Sequence, residues 1–198
     1  MTDDNIKKIM YVHGFASSGS SGTVMALRRH FLGWRVVAPD LPVDPFEALQ
    51  LLRDTIEAEK PDVVIGTSMG GMYVQQLRGI RRIVVNPSFE MSRSLLFGKM
   101  GRNKYTSKRK DGVTEFRVDK NLVERFKQME RTQFDGITDE DKNLVVGLFG
   151  DKDNVVHFYP LMAKMYGEER CRWFAGEHRL NDEVLKKVLV PLIDDMLG

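Results

Sequence analysis

The sequence predicts a three-layer α/β/α sandwich built on a mainly parallel sheet of six strands. Three observations carry that expectation. Short apolar runs rich in β-branched residues recur at 8–12, 34–38, 63–65, 82–85, 143–149 and 170–174. They are continuous rather than alternating, the pattern of strands covered on both faces. Segments with apolar residues at helical spacing separate most of them. The loops that follow the strands are dense in Gly, Pro, Ser and Asp, and in sheets of this kind ligands gather at the carboxyl ends of the strands.

Taken in order, the first strand runs into His13-Gly14-Phe15-Ala16-Ser17-Ser18-Gly19-Ser20-Ser21-Gly22, after which Val24, Leu27, Arg28 and Phe31 mark a helix that Ser21 or Thr23 could cap. The second strand closes on Pro39-Asp40-Leu41-Pro42, which cannot continue a ladder, and Pro45 opens a helix whose apolar face is Ala48, Leu49, Leu52 and Ile56. The third strand ends in Gly66-Thr67-Ser68-Met69-Gly70-Gly71, and a helix is expected over 72–77. Asn86-Pro87 halts the fourth. The rhythm then breaks over 89–141, a segment too long to be structureless and expected to act as a lid. It holds an apolar stretch with two methionines, a basic run over 99–112, a β-prone piece at 113–118 and a helix at 121–130. The basic run reads as a solvated hairpin or as an electropositive rim for an anionic acyl substrate. The fifth strand, a helix over 159–166, the last strand and a closing helix over 182–197 restore the alternation, the last with Val184, Leu185, Val188, Leu189, Leu192, Ile193 and Met196 on one stripe.

Composition bounds the function. At 198 residues the chain fits one domain, 1–198, large enough to bury a core without disulfides or metal. Its net charge of +2 gives no global drive towards nucleic acid, and the basic run has too few interleaved aromatics to argue for it. The single cysteine, Cys171, rules out an intramolecular disulfide and suits a reducing compartment. The polar N-terminus and the short apolar run after it build neither signal peptide nor membrane span, so a cytoplasmic protein without a membrane partner is expected.

Strand, Gly-x-Ser-x-Gly and helix together make a nucleophile elbow, with Ser68 pushed clear of the sheet by a turn that tolerates no side chain at Gly66 or Gly70. The glycine-rich loop after the first strand fails as a phosphate cradle. Ser20 stands where the Walker lysine belongs, and Gly-x-Gly-x-x-Gly is absent. Its better role is to lend the Phe15 N–H, beside the Met69 N–H, to a developing oxyanion. A serine needs a base, and the base an orienting acid, in the order Ser, acid, His. His13 and His30 precede Ser68, and His157 lies too close to the acid loop, leaving His178. Asp153 and Asp151 compete as the acid, with Asp153 favoured because it stands where the chain turns back to the sheet edge. Asp40 suits a loop-stabilising or gating role, Glu177 faces solvent, and Cys171 belongs to the core. No residues have metal-ligand spacing, and no cofactor is required.

These motifs resemble the α/β-hydrolase superfamily, and more narrowly the small bacterial esterases of the YqiA-like family. The resemblance rests on Tyr11-Val12-His13-Gly14-Phe15-x-Ser17-Ser18, Pro39-x-Leu41-Pro42, Gly66-x-Ser68-x-Gly70-Gly71, Val84-Val85-Asn86-Pro87, Gly150-x-x-Asp153-x-Val155 and Gly176-x-His178. It implies strand order 2-1-3-4-5-6 and hydrolysis of carboxylic esters or thioesters of small acyl substrates. The segment 89–141 has no counterpart in that pattern. An acyltransferase or acyl-CoA-type thioesterase could use the same residues, and a non-catalytic ligand-binding protein could keep the same fold.

Overall fold

The structure, a computed structural model, describes residues 6–198. The polar N-terminal stretch on which the absence of a signal peptide was argued lies outside the described residues. Six strands form one sheet: β1 (Lys8–Val12), β2 (Arg35–Val37), β3 (Val63–Thr67), β4 (Arg82–Val85), β7 (Val145–Gly150) and β8 (Cys171–Phe174). Their order is β2-β1-β3-β4-β7-β8, and every pairing is parallel. This is the order the resemblance implied. The register sets Met10 beside Val64, Ile65 beside Ile83 and Ile83 beside Val146.

Successive side chains of a strand point to opposite faces. Met10, Val12, Val64, Val84, Val145 and Phe149 therefore pack on one side, against α2 (Pro45–Glu59), α3 (Met69–Val74), α4 (Met91–Gly98), α5 (Lys120–Thr132) and α7 (Tyr159–Tyr166). Ile9, Tyr11, Val63, Ile65, Ile83, Val85 and Leu148 pack on the other, against α1 (Gly22–His30) and the closing helix over 182–197. Double coverage is the physical cause of the continuous apolar runs. The chain leaves β1 for β2 on one side and returns to β3 on the other, so the loops after β1 and β3 diverge at a switch point, the place where ligands bind in sheets of this kind.

Several elements differ from expectation for physical reasons. Helix α3 starts at Met69, directly out of the elbow, and ends at Val74 rather than Leu77. Ser21 occupies the N-cap position of α1, but its hydroxyl makes no capping bond and is buried without a partner among the described residues. Asp44 does cap α2, accepting from the Phe46 and Glu47 N–H groups at 3.0 and 3.2 Å. Strand β8 pairs only with β7, so it is an edge. Cys171 is half-buried there rather than enclosed, and Trp173 is exposed. The closing helix is α-helical at Asp182–Val184 and Val190–Leu197, but π-helical at Leu185–Leu189. Pro191 lacks an N–H and its ring would crowd the Lys187 carbonyl in a regular helix; the wider π turn relieves that conflict.

The insertion between β4 and β7 contains α4, an antiparallel hairpin of β5 (Gly101–Lys104) with β6 (Glu115–Val118), α5 and α6 (Asp139–Asn143). The hairpin lies within and beside the basic run, and Asp119 caps α5 through the Leu122 N–H at 2.8 Å. No helix among the described residues is long and apolar enough to cross a membrane.

Candidate active site

The turn after β3 leaves little room. A Cβ at Gly66 would run into the Gly70 carbonyl, and one at Gly70 into the Val12 carbonyl of β1. A Cβ at Gly71 would come within 2.8 Å of the Pro87 side chain, so the close neighbour there is the segment after β4 rather than β3 itself. Squeezed in this way, Ser68 adopts φ 55° and ψ −120°, a conformation L residues disfavour. Four backbone bonds hold it: its N–H donates to the Val85 carbonyl at 3.0 Å, and its carbonyl accepts from Gly71 at 2.9 Å, Ser88 at 3.0 Å and Met72 at 3.4 Å.

The hydroxyl so presented meets the first of two side chains that distant loops bring into line. His178 Nε2 lies 3.1 Å from Ser68 Oγ, and His178 Nδ1 lies 2.8 Å from Asp153 Oδ2. The Asp153 carboxyl is 4% exposed, and its other oxygen accepts the Val155 and Val156 N–H groups at 2.7 and 3.2 Å. Both oxygens are thus occupied, which fixes the carboxylate against the imidazole. Asp151 points elsewhere: its Oδ1 accepts the Gly176 N–H at 2.9 Å on the protein surface. Of the two candidate acids, the structure brings only Asp153 to the imidazole.

The remaining candidates occupy other places. His13 is buried; its Nε2 accepts the Leu41 N–H at 3.2 Å and its Nδ1 donates to the Gly14 carbonyl at 2.9 Å. That tautomer is neutral, and burial pushes the imidazole pKa down, an effect the Gly14 carbonyl and Asp40 only partly offset. His30 sits on the surface with Asp182 at 3.1 Å, and His157 is exposed. Asp40 ties loops together, accepting the Gly19 and Lys110 N–H groups, each at 2.7 Å. Burial, with Glu169 and Glu168 nearby, raises the Cys171 thiol pKa to about 11, so little thiolate forms at neutral pH. Glu177 is exposed.

The loop carrying Phe15 crosses close to the elbow, where a Cβ on Gly14 would stand 3.4 Å from Ser68 Cβ. Among the described residues, neither the Phe15 nor the Met69 N–H donates to a protein acceptor. The insertion clasps this loop. Thr106 donates to the Ala16 carbonyl through its N–H at 2.7 Å and its hydroxyl at 3.0 Å, and Ser18 Oγ donates to the Lys108 carbonyl at 2.8 Å. Phe116 packs edge-on against Phe15, with ring centroids 5.3 Å apart. Below them a cavity of about 20 Å³ is lined by Phe15, Leu41, Met69, Phe116, Leu122 and Phe126. The positive charge of the basic run is partly spent within the fold. Arg102 and Lys104 share Glu115, while Arg109 is buried, bonded to Asp111 and to the Leu41 carbonyl. Sequence reasoning placed Thr106, Ser107 and Lys108 only in the basic run and Asn86 only in the motif that halts the fourth strand, and foresaw none of their contacts. Their contacts span 90 or so residues of chain and leave no local pattern. Among the described residues, no three His, Cys, Asp or Glu side chains are placed to hold a metal ion.

Comparison with solved structures finds the same fold in several hydrolases. The fold is similar to Est1E from Butyrivibrio proteoclasticus, with a TM-score of 0.64 and 17% identity over 99% of this chain and 90% of that one. It is similar also to a monoacylglycerol lipase of Paleococcus ferrophilus, with a TM-score of 0.62 and 16% identity over 96% and 93%. A hydrolase of Agrobacterium vitis S4, described as putative, gives 0.65 and 13% over 98% and 89%. At such identities the likeness speaks for the fold alone. Among curated proteins none matches the sequence. Residues 8–165 match the profile of one protein family, from β1 through most of α7, and the chain accordingly belongs to the uncharacterised protein family UPF0227.

Proposed function

We propose that this protein is a serine esterase that cleaves carboxylic esters or thioesters of small acyl groups through an acyl-enzyme. The observation that carries the proposal is the continuous hydrogen-bonded path from Ser68 through His178 to Asp153, with Ser68 held in a strained backbone conformation at the carboxyl edge of the sheet. Ser68 Oγ attacks the carbonyl carbon while its proton passes to His178 Nε2. The imidazolium so formed faces the Asp153 carboxylate. The N–H groups of Phe15 and Met69 hold the oxygen that becomes negative. Collapse of the tetrahedral intermediate sends the proton from Nε2 to the leaving alcohol or thiol. Water then repeats the sequence and frees the acid. No cofactor enters these steps.

The insertion over 89–141 acts as the lid of a single hydrolase domain, and the small apolar cavity beneath it receives the acyl group. In the closed form that cavity has room for about one water, so the lid must shift to admit the acyl group, and a short chain asks the least movement of it. Arg109, buried against Asp111 and the Leu41 carbonyl, is withdrawn from any carrier held by the lid, and we take water as the acceptor. A lone cysteine and the absence of a membrane-length helix among the described residues support action in the cytoplasm on a small-molecule ester, with neither nucleic acid nor membrane as partner. The test is Ser68→Ala. Turnover of p-nitrophenyl acetate is expected to fall by at least about 10³-fold with the circular-dichroism spectrum unchanged, and labelling by a fluorophosphonate is expected to disappear. Turnover equal to that of the unsubstituted protein would refute the proposal.

A further inference from the structure

The proposed nucleophile, acid and base stand on three loops, after β3, β7 and β8, and one buried side chain outside the triad joins two of them. Asn86 follows β4, which lies between β3 and β7 in the sheet. Its backbone takes φ 44°, left-handed territory that asparagine tolerates better than most residues. That conformation aims the carboxamide across the carboxyl edge of the sheet, where it is 1% exposed. Oδ1 accepts the N–H of Gly150, the last residue of β7, at 2.8 Å. Nδ2 donates to the Glu177 carbonyl at 3.0 Å and to the carbonyl of His178 itself at 3.1 Å. Acceptor and both donors of the amide are therefore committed, one way to the acid loop and the other way to the base loop.

The need for such a tie follows from the position of the base. Strand β8 is an edge of four residues, and His178 lies four residues beyond its end. Asp151 fastens this loop at Gly176, and among the described residues Asn86 is the one side chain bonded to the His178 backbone. Gly150 lets the two strands of backbone run together, since a Cβ there would come within 2.8 Å of the Glu177 carbonyl. We infer that Asn86 is a positioning residue, which sets the distance of His178 from Ser68 and Asp153 through its carboxamide and touches no substrate. This inference rests on the serine-esterase reading. A misplacement of about 1 Å can cost on the order of 10²-fold in rate, and a loss of that size is what removal of the carboxamide entails.

Two substitutions separate this role from a purely structural one. Asn86→Gly deletes the amide yet keeps access to positive φ. Asn86→Asp keeps an acceptor for Gly150 but turns an oxygen towards two carbonyl oxygens. Steady-state kinetics with p-nitrophenyl acetate, well below each variant's melting temperature, should show kcat reduced about 100-fold with KM within threefold of the unsubstituted enzyme. A kcat within threefold in both variants, or a loss carried by KM, overturns the inference even if both melt lower. Ser68→Ala is assayed alongside. If that variant is inactive while the Asn86 variants are normal, only the positioning role fails; if it is active, the esterase reading and this inference fall together.

Discussion

Two aspartates in one surface turn, Asp151 and Asp153, have the same chemistry and different surroundings. The Asp153 N–H donates to the Gly150 carbonyl at 3.1 Å, closing a turn that carries Asp153 inward under the imidazole and leaves Asp151 outward on the Gly176 N–H. Spacing alone favoured Asp153, because the turn back to the sheet can be read from Gly150 and the residues after Asp153. The glycines of the elbow were legible for a similar reason: the demand for a missing Cβ is local. Asn86 was not, because its partners lie 64, 91 and 92 residues away. Ser21 misled, since a cap position does not guarantee that the hydroxyl turns towards the helix. Asp153→Asn should lower kcat by roughly 10³–10⁴-fold, because an amide facing Nδ1 favours the wrong imidazole tautomer. Asp151→Asn should stay within about fivefold, since its amide oxygen can still accept from Gly176. Parallel kcat measurements decide, and a larger loss at Asp151 would transfer the role of acid to it.

At the level of elements, the parallel strands and amphipathic helices were readable because burial on one or two faces imposes a period on the sequence. The insertion was readable only in part. Strand β5 is Gly101-Arg102-Asn103-Lys104, with neither β-branched nor aromatic residues, and its pairing with β6 is what makes it a strand. Once formed, the hairpin brings Thr106 to Ala16 and Phe116 to Phe15, while α5 is fastened to the start of α2 by Arg125 on Asp44. Burial works against the Asp44 carboxylate, but the Arg125 guanidinium and the capping N–H groups outweigh it and hold its pKa below the usual range. The insertion is thus clamped on both sides of the small cavity, with Phe116 as the part of its wall most easily removed. Phe116→Ala should enlarge the cavity and raise kcat/KM for p-nitrophenyl butyrate or hexanoate relative to acetate, by about 10-fold or more. An unchanged chain-length profile would mean that the acyl group lies elsewhere.

For the molecule as a whole, the two ends of the sheet perform different tasks. The carboxyl end carries the loops of the site, and the amino end carries a buried ionic network that fastens the return of the insertion to the core. Arg82 opens β4 and is fully buried. Its guanidinium donates to Asp141 Oδ1 at 2.7 Å, to the Asp141 carbonyl at 3.1 Å and to the Gln75 carbonyl at 2.9 Å. Arg78 lies 3.4 Å from the other Asp141 oxygen and reaches the Tyr166 hydroxyl at 2.6 Å and the Gln133 carbonyl at 3.2 Å. Residues from the ends of α3 and α5 and from within α6 and α7 so converge on two guanidinium groups. Removing one partner of a buried pair strands the other charge away from water, at a cost of about 3–5 kcal/mol, whereas replacing both with apolar groups is often near neutral. Asp141→Ala should therefore lower the unfolding free energy by about that amount, read from urea denaturation with an unchanged m-value. At roughly 2–4 °C per kcal/mol, the melting temperature should drop by about 10 °C. The paired change Arg82→Met with Asp141→Leu should recover part of the loss, because it removes the fully buried charge whose Nε already lacks a partner among the described residues, while Arg78 loses a carboxylate but keeps Tyr166 and Gln133. The kcat of the folded fraction should stay the same in both variants, since the network stands at the far end of β4 from Asn86 and Ser68. Equal destabilisation by the single and paired changes would show that packing volume, rather than the stranded charge, sets the stability at this end of the sheet.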